Sequence, residues 1–140
     1  AATVACVPFA GGGDRSELYL RPIHVIDEAN AVLRCTSYLP ARTAPIDRER
    51  RNNVSAANPH GDTSRLTLTW STRLCDLHVI RRAVRDPHRV VVENTRPCRA
   101  VDLTYAVLLV LRQPIDAHLV KGKRAQIAAP SPSPSPSPSD

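Results

Sequence analysis

The 140-residue chain ends in a Ser-Pro repeat with no side chains to make a core, which leaves roughly 125 residues for one domain and not two. Only 4% of its residues are aromatic against 42% hydrophobic, so the core is expected to be aliphatic. The net charge of +6 comes from scattered basic residues with few aromatics among them to stack bases, which argues against nucleic-acid binding, and no apolar run is long enough to span a membrane.

The domain is expected over 1–129 and a disordered tail over 130–140. The start, Ala1-Ala2-Thr3 without methionine, matches what removal of a signal peptide leaves. Residues 1–13 end in Gly11-Gly12-Gly13, a flexible approach to the first element. Leu18, Leu20, Ile23, Val25 and Ile26 form an apolar run broken by Pro22, which predicts a kinked edge strand. Ala31 to Cys35 predicts a second short strand. Residues 40–64 are polar, carry Pro40, Pro45 and Pro59, and predict a long exposed loop with an N-glycosylation acceptor at Asn53.

Arg65-Leu66-Thr67-Leu68-Thr69-Trp70 alternates strictly and predicts a half-buried strand. Asp76 predicts the N-cap of a helix from Leu77 to Arg85, stopped by Asp86-Pro87. Arg89 to Glu93 is β-branched and predicts a buried strand. Asp102 is a second N-cap candidate, ahead of Leu103 to Gln113. That segment is read as a helix packed on the sheet, with strand as the alternative. The basic stretch Lys121-Gly122-Lys123-Arg124 is expected to be exposed. The expected fold class is α+β, a small mixed or antiparallel sheet with one or two helices.

Cys6, Cys35, Cys75 and Cys98 show no C-x-x-C spacing, so zinc and redox motifs are excluded. Four separated cysteines in a small processed chain predict two disulfides, with three connectivities open, and a secreted protein. The five histidines, His24, His60, His78, His88 and His118, show no i, i+4 pair, and no G-x-S-x-G elbow or P-loop lysine is present. Asp14, Glu17, Asp27 and Glu28 are read as solvated surface charge. No catalytic residue, metal site or cofactor is expected. A small hydrolase or nuclease working through His and Arg is the catalytic alternative.

Two stretches resemble the herpesvirus glycoprotein L family. Gly13-Asp14-Arg15-Ser16-Glu17-Leu18-Tyr19-Leu20-Arg21-Pro22-Ile23 is similar to a segment near the start of the cytomegalovirus members. Cys98-Arg99-Ala100-Val101-Asp102-Leu103-Thr104 is similar to a Cys-Arg-x-x-Asp-Leu-Thr stretch later in them. The spacing from Cys75-Asp76 to Cys98, followed by the apolar run at Leu103, resembles the lymphocryptovirus members. The widely separated Cys6 and Cys35 depart from that subgroup, where the first two cysteines are adjacent.

The resemblance implies a chemokine-like fold and a secreted, non-catalytic subunit of the virion envelope. It implies a membrane-anchored partner of the glycoprotein H type, a role in receptor engagement and membrane fusion during entry, and a host receptor as a further contact. Leu18, Leu20, Ile23, Leu66, Leu68 and Trp70 are the partner-facing residues expected on that basis, with a core position as the equal alternative for Trp70. The alternative is a secreted β-sandwich effector, an immune-evasion protein that binds a host protein by itself, for which a Cys35–Cys98 bridge is the expected mark.

Overall fold

The computed structural model of the chain describes residues 2–8, 23–38, 41–42, 52–82, 86 and 88–127. Eight strands follow in chain order: β1 (Ala2–Pro8), β2 (Ile23–Asp27), β3 (Val32–Ser37), β4 (Ala41–Arg42), β5 (Asn53–Ala57), β6 (Arg65–Arg82), β7 (Arg89–Leu111) and β8 (Lys121–Ile127). Among the described residues the only helical segments are single 3-10 turns at Pro59–Gly61 and Ala117–Leu119. The expected α+β, chemokine-like fold is therefore corrected to an all-β fold.

Both expected helices are corrected to strand, the first over Leu77 to Arg82, since 83–85 lie outside the described residues, and the second over Leu103 to Leu111. β6 runs unbroken from Arg65 to Arg82, so Asp76 caps nothing, and β7 runs through Asp102 to Leu111. In that last stretch Leu103, Tyr105, Val107, Leu109 and Leu111 are buried, while Thr104, Ala106, Leu108 and Val110 are half-buried. Apolar residues on both faces of the pleat hide the period of two that marks a strand. The helix preference of Leu and Ala amounts to about half a kcal/mol per residue, less than a ladder with neighbours on both sides supplies.

The expected loop over 40–64 is also corrected, since it contains β4 and β5. The strands expected at Ala31, Arg65 and Arg89 are present as β3, the first half of β6 and the start of β7. The kinked edge strand survives as β2, which is not an edge: it lies between β1 and β6. Leu18, Leu20, Gly11 to Gly13 and the Ser-Pro tail lie outside the described residues.

The strand pairings close on themselves. β5 pairs with the first half of β6, which pairs with the second half of β7. From there the ladder passes to β3, then β1, then β2. β2 pairs with the second half of β6, which pairs with the first half of β7. β7 then pairs with β8, and β8 returns to β5. The long β6–β7 ribbon therefore enters the ring twice, once with each half.

Such a ribbon has to bend, and its register shows where. Between Arg73–Asp102 and Leu77–Thr95, β6 advances four residues while β7 advances seven, so β7 carries three extra. Bulges of this kind sharpen twist and bend a strand pair. Pro97, which has no N–H to donate, falls among the residues without a ladder partner. An odd number of extra residues also reverses which side chains face inward. Val90, Val92 and Asn94 are buried before the bend, and the odd-numbered residues from Leu103 to Leu111 after it. Cys75 lies directly opposite Cys98 at the bend.

The inward residues form one core. Trp70 stacks on its cross-strand partner Tyr105, with ring centroids 5.6 Å apart and planes 13° apart. Leu66, Leu68, Val92, Leu103 and Val107 belong to the same cluster. One polar pair lies inside: the Asn94 side-chain amide donates to the Thr72 hydroxyl over 2.7 Å. Asn58 fastens the end of the ring. Its amide donates to the carbonyls of Arg65 and Ile115, and its oxygen accepts from the Ala117 N–H.

A disulfide between Cys6 and Cys35 joins β1 to β3 at a position where the two are register partners, with Cα atoms 4.4 Å apart. Its sequence separation of 29 residues corresponds to about 3–4 kcal/mol in the chain-entropy account. Replacing both cysteines by Ser is expected to lower the unfolding free energy by about that amount, read from urea titration.

Gly122 is the residue at which the ring closes, paired with Val54 on one side and Val90 on the other. A Cβ there would meet Val54 Cβ at 2.7 Å and the Val54 carbonyl oxygen at 2.8 Å. The obstruction includes backbone, which cannot swing away. Gly122→Ala is expected to cost about 1–3 kcal/mol by the same titration, the range for overpacking.

Candidate functional site

The ring turns one face of its described strands inward and leaves the outer face open to contact with another molecule. One part of it is apolar. Val7 on β1 is register partner to Thr36 on β3, Thr36 to Leu108 on β7, and Leu108 to Thr67 on β6. This row crosses four strands without a charge. Tyr38 follows directly after β3 and its N–H donates to the Ala106 carbonyl over 2.9 Å, which holds it to β7.

A shift of register between Val32 and Arg34 places both Leu33 and Arg34 on the outside. Val7, Leu33 and Tyr38 are 55%, 50% and 44% exposed, three of the four large hydrophobic side chains in that state among the described residues. The fourth, Leu119, belongs to the turn after β7.

Arginines border this surface. Val110 has Arg34 as its partner on β3 and Arg65 on β6. Arg34, Arg65 and Arg112 are exposed. Arg65 lies 3.7 Å from Asp62. The Ser64 hydroxyl and backbone N–H both donate to Asp62, over 2.6 and 2.9 Å, and these bonds hold its carboxyl below the usual carboxylate range. A lowered carboxylate favours the folded chain above the ordinary range, and that contribution fades as pH falls through the lowered value.

The turn behind Leu33 is built by Asp27. Its carboxylate accepts from the N–H groups of Ala29, Ala31 and Val32, and the residue is 0% exposed. Asp27 is thus a buried backbone acceptor and not the solvated charge expected. Asn30, at φ 53°, completes this turn. Glu28 is exposed as expected, and Asp14 and Glu17 lie outside the described residues.

The residues singled out from the sequence do not meet on a surface. Ile23, Leu66, Leu68 and Trp70 are 3%, 1%, 0% and 2% exposed and pack in the core. Asn53 is exposed, and with Ser55 it stands on the outer side of β5 rather than in a loop. Cys35 is bonded to Cys6, not to Cys98. The histidines are spread over β2, β6, the approach to β7 and the two 3-10 turns. Among the described residues no group of His, Cys, Asp and Glu is placed to hold a metal. No described helix is long and apolar enough to cross a membrane.

Val7 was legible: it adjoins Cys6, and in a strand the neighbour of an inward residue points outward. Leu33 was not. Two residues from Cys35, it belongs inside by the same rule, and only the bulge turns it out. Comparison with family models, characterised proteins and solved structures finds no match.

A stability contrast separates the two sets of residues. Leu33→Ser and Tyr38→Ser are expected to change the unfolding free energy by less than about 1 kcal/mol. Leu68→Ala and Trp70→Ala are expected to lower it by about 3–5 kcal/mol in thermal or urea unfolding.

Proposed function

We propose that this chain is a secreted, non-catalytic binding protein that docks a partner protein on the outer face of β1, β3 and the second half of β7. The observation that carries this is the exposure of Val7, Leu33 and Tyr38 on adjacent strands around Thr36 and Leu108. A face of this composition, apolar at the centre and bordered by arginine, has the make-up of protein interfaces. Its complement is an apolar patch flanked by carboxylates opposite Arg34, Arg65 and Arg112. The Cys6–Cys35 disulfide suits an oxidising compartment, as secretion requires.

A membrane-anchored subunit of the glycoprotein H type is the partner to which the sequence likeness leads, with the virion envelope and host cell surface as the place of action. That likeness rests on 13–23, of which only Ile23 is described, on 98–104 at and beyond the bend of β7, and on the Cys75-to-Cys98 spacing. The fold it implied is not the fold of this chain. The partner is therefore named by the sequence likeness, and the docking face by the exposed residues.

Co-expression tests both. The chain is secreted alone and together with a glycoprotein H-type ectodomain, as wild type and as the Leu33→Asp, Tyr38→Asp double variant. The expected result is a co-purifying complex with wild type and at least about tenfold weaker association with the variant. Equal binding by both chains would remove the docking face. A monodisperse wild-type chain that ignores the ectodomain would remove that partner and favour an effector acting on a host protein alone.

A further inference from the structure

A second surface, of different chemistry, lies across the ring from the apolar face. It is separated from that face by β2 and the second half of β6 on one side, and by β5 and the first half of β6 on the other. Its residues belong to β7 and β8. Gly122 points inward at Val54, so Lys121 and Lys123 on either side of it point outward, and both are exposed. They are the only two lysines in the chain.

The parallel ladder between β7 and β8 sets exposed Arg89 against Lys121, and Val91 against Lys123. Outward residues two apart on a strand are separated by about 7 Å, and neighbours on adjacent strands by about 5 Å. Three cations therefore share one small area of the outer sheet surface. None of them takes part in an ion pair or a side-chain hydrogen bond among the described residues. Cations facing one another across a ladder repel, and an anion laid over them relieves that cost.

The neighbours suit an oxyanion. Lys123 is also the register partner of Asn53, whose exposed side-chain amide carries N–H donors, and Asn52 beside it is exposed as well. Arg81 holds the backbone position opposite Val91. Glu93, the next outward residue of β7 after Val91, marks the end of the patch and has partners of its own.

We infer that the outer face of β7 and β8 around Arg89, Lys121 and Lys123 binds a sulfated polysaccharide. The lysines decide the ligand class. An ammonium group is a point charge on a flexible stem, suited to sulfates spaced along a sugar chain without a fixed planar fork. Single-stranded nucleic acid would also need rings on which its bases stack. Among the described residues, the rings of Trp70 and Tyr105 are buried, and exposed Tyr38 stands on the apolar face. This inference does not depend on the partner proposed for that other face.

The experiment uses heparin as the probe and the whole chain. Having lysines nowhere else, the chain can be read by amine acetylation: bound heparin is expected to protect Lys121 and Lys123 at least about threefold at physiological ionic strength. The Lys121→Ser, Lys123→Ser variant is expected to bind heparin about tenfold more weakly. The Arg34→Ser, Arg65→Ser variant, which loses the same charge, is expected to lose less than about threefold. Equal weakening of both variants would reduce the binding to net charge and overturn the inference. So would unprotected lysines in the wild-type chain, a reading that needs no variant to fold. Single-stranded DNA that displaces heparin at equal charge concentration would overturn the choice of ligand.

Discussion

The fold depends on a single close approach: β8 lies against β5 and β7 at the same time, and it can do so because residue 122 has no side chain. Without that contact the outer edges of β5 and of the first half of β7 would stand open. Open edges expose rows of unpaired N–H and C=O groups that invite pairing with other chains. With it, the ladder runs continuously around the molecule. The inward side is then fixed for every strand, and so is the outward side that is left for recognition.

The second constraint is the bend in the β6–β7 ribbon. A straight ribbon of this length would send one half away from the core. Three extra residues in β7 let both halves line the same interior, with the inward set changing from even to odd positions. The polar pair Asn94 and Thr72 joins the two halves inside, one residue from each strand. It gives the crossing a specific partner choice where apolar side chains alone would tolerate sliding.

Some of this was written in the sequence in plain form. The alternation from Arg65 to Trp70 specified strand because one face was to be buried and the other wet. The run at Arg89 to Val92 was equally direct, since β-branched residues fit a pleated ladder. Leu103 to Leu111 misled because its outward residues are apolar as well. Asp76 misled because helix punctuation is local, whereas the ladders on both sides of β6 join residues far apart in the chain. The apolar surface was half visible: Val7 follows from its neighbour Cys6, while Leu33 is outward only through a bulge that no local pattern announces. Asp27 was misread because a carboxylate that accepts three backbone N–H bonds looks, in sequence, like any other acidic residue between strands.

The position of Asn53 has a bearing on maturation. β5 is held by β6 on one side and by β8 on the other, and the acceptor triplet Asn53-Val54-Ser55 lies within it, with Val54 committed to the interior against Gly122. Within the closed ladder the triplet is paired on both sides and is not a free segment. Any modification that needs this triplet as a free segment therefore has to precede the pairing of β8 with β5. A chain that folds first has lost the chance.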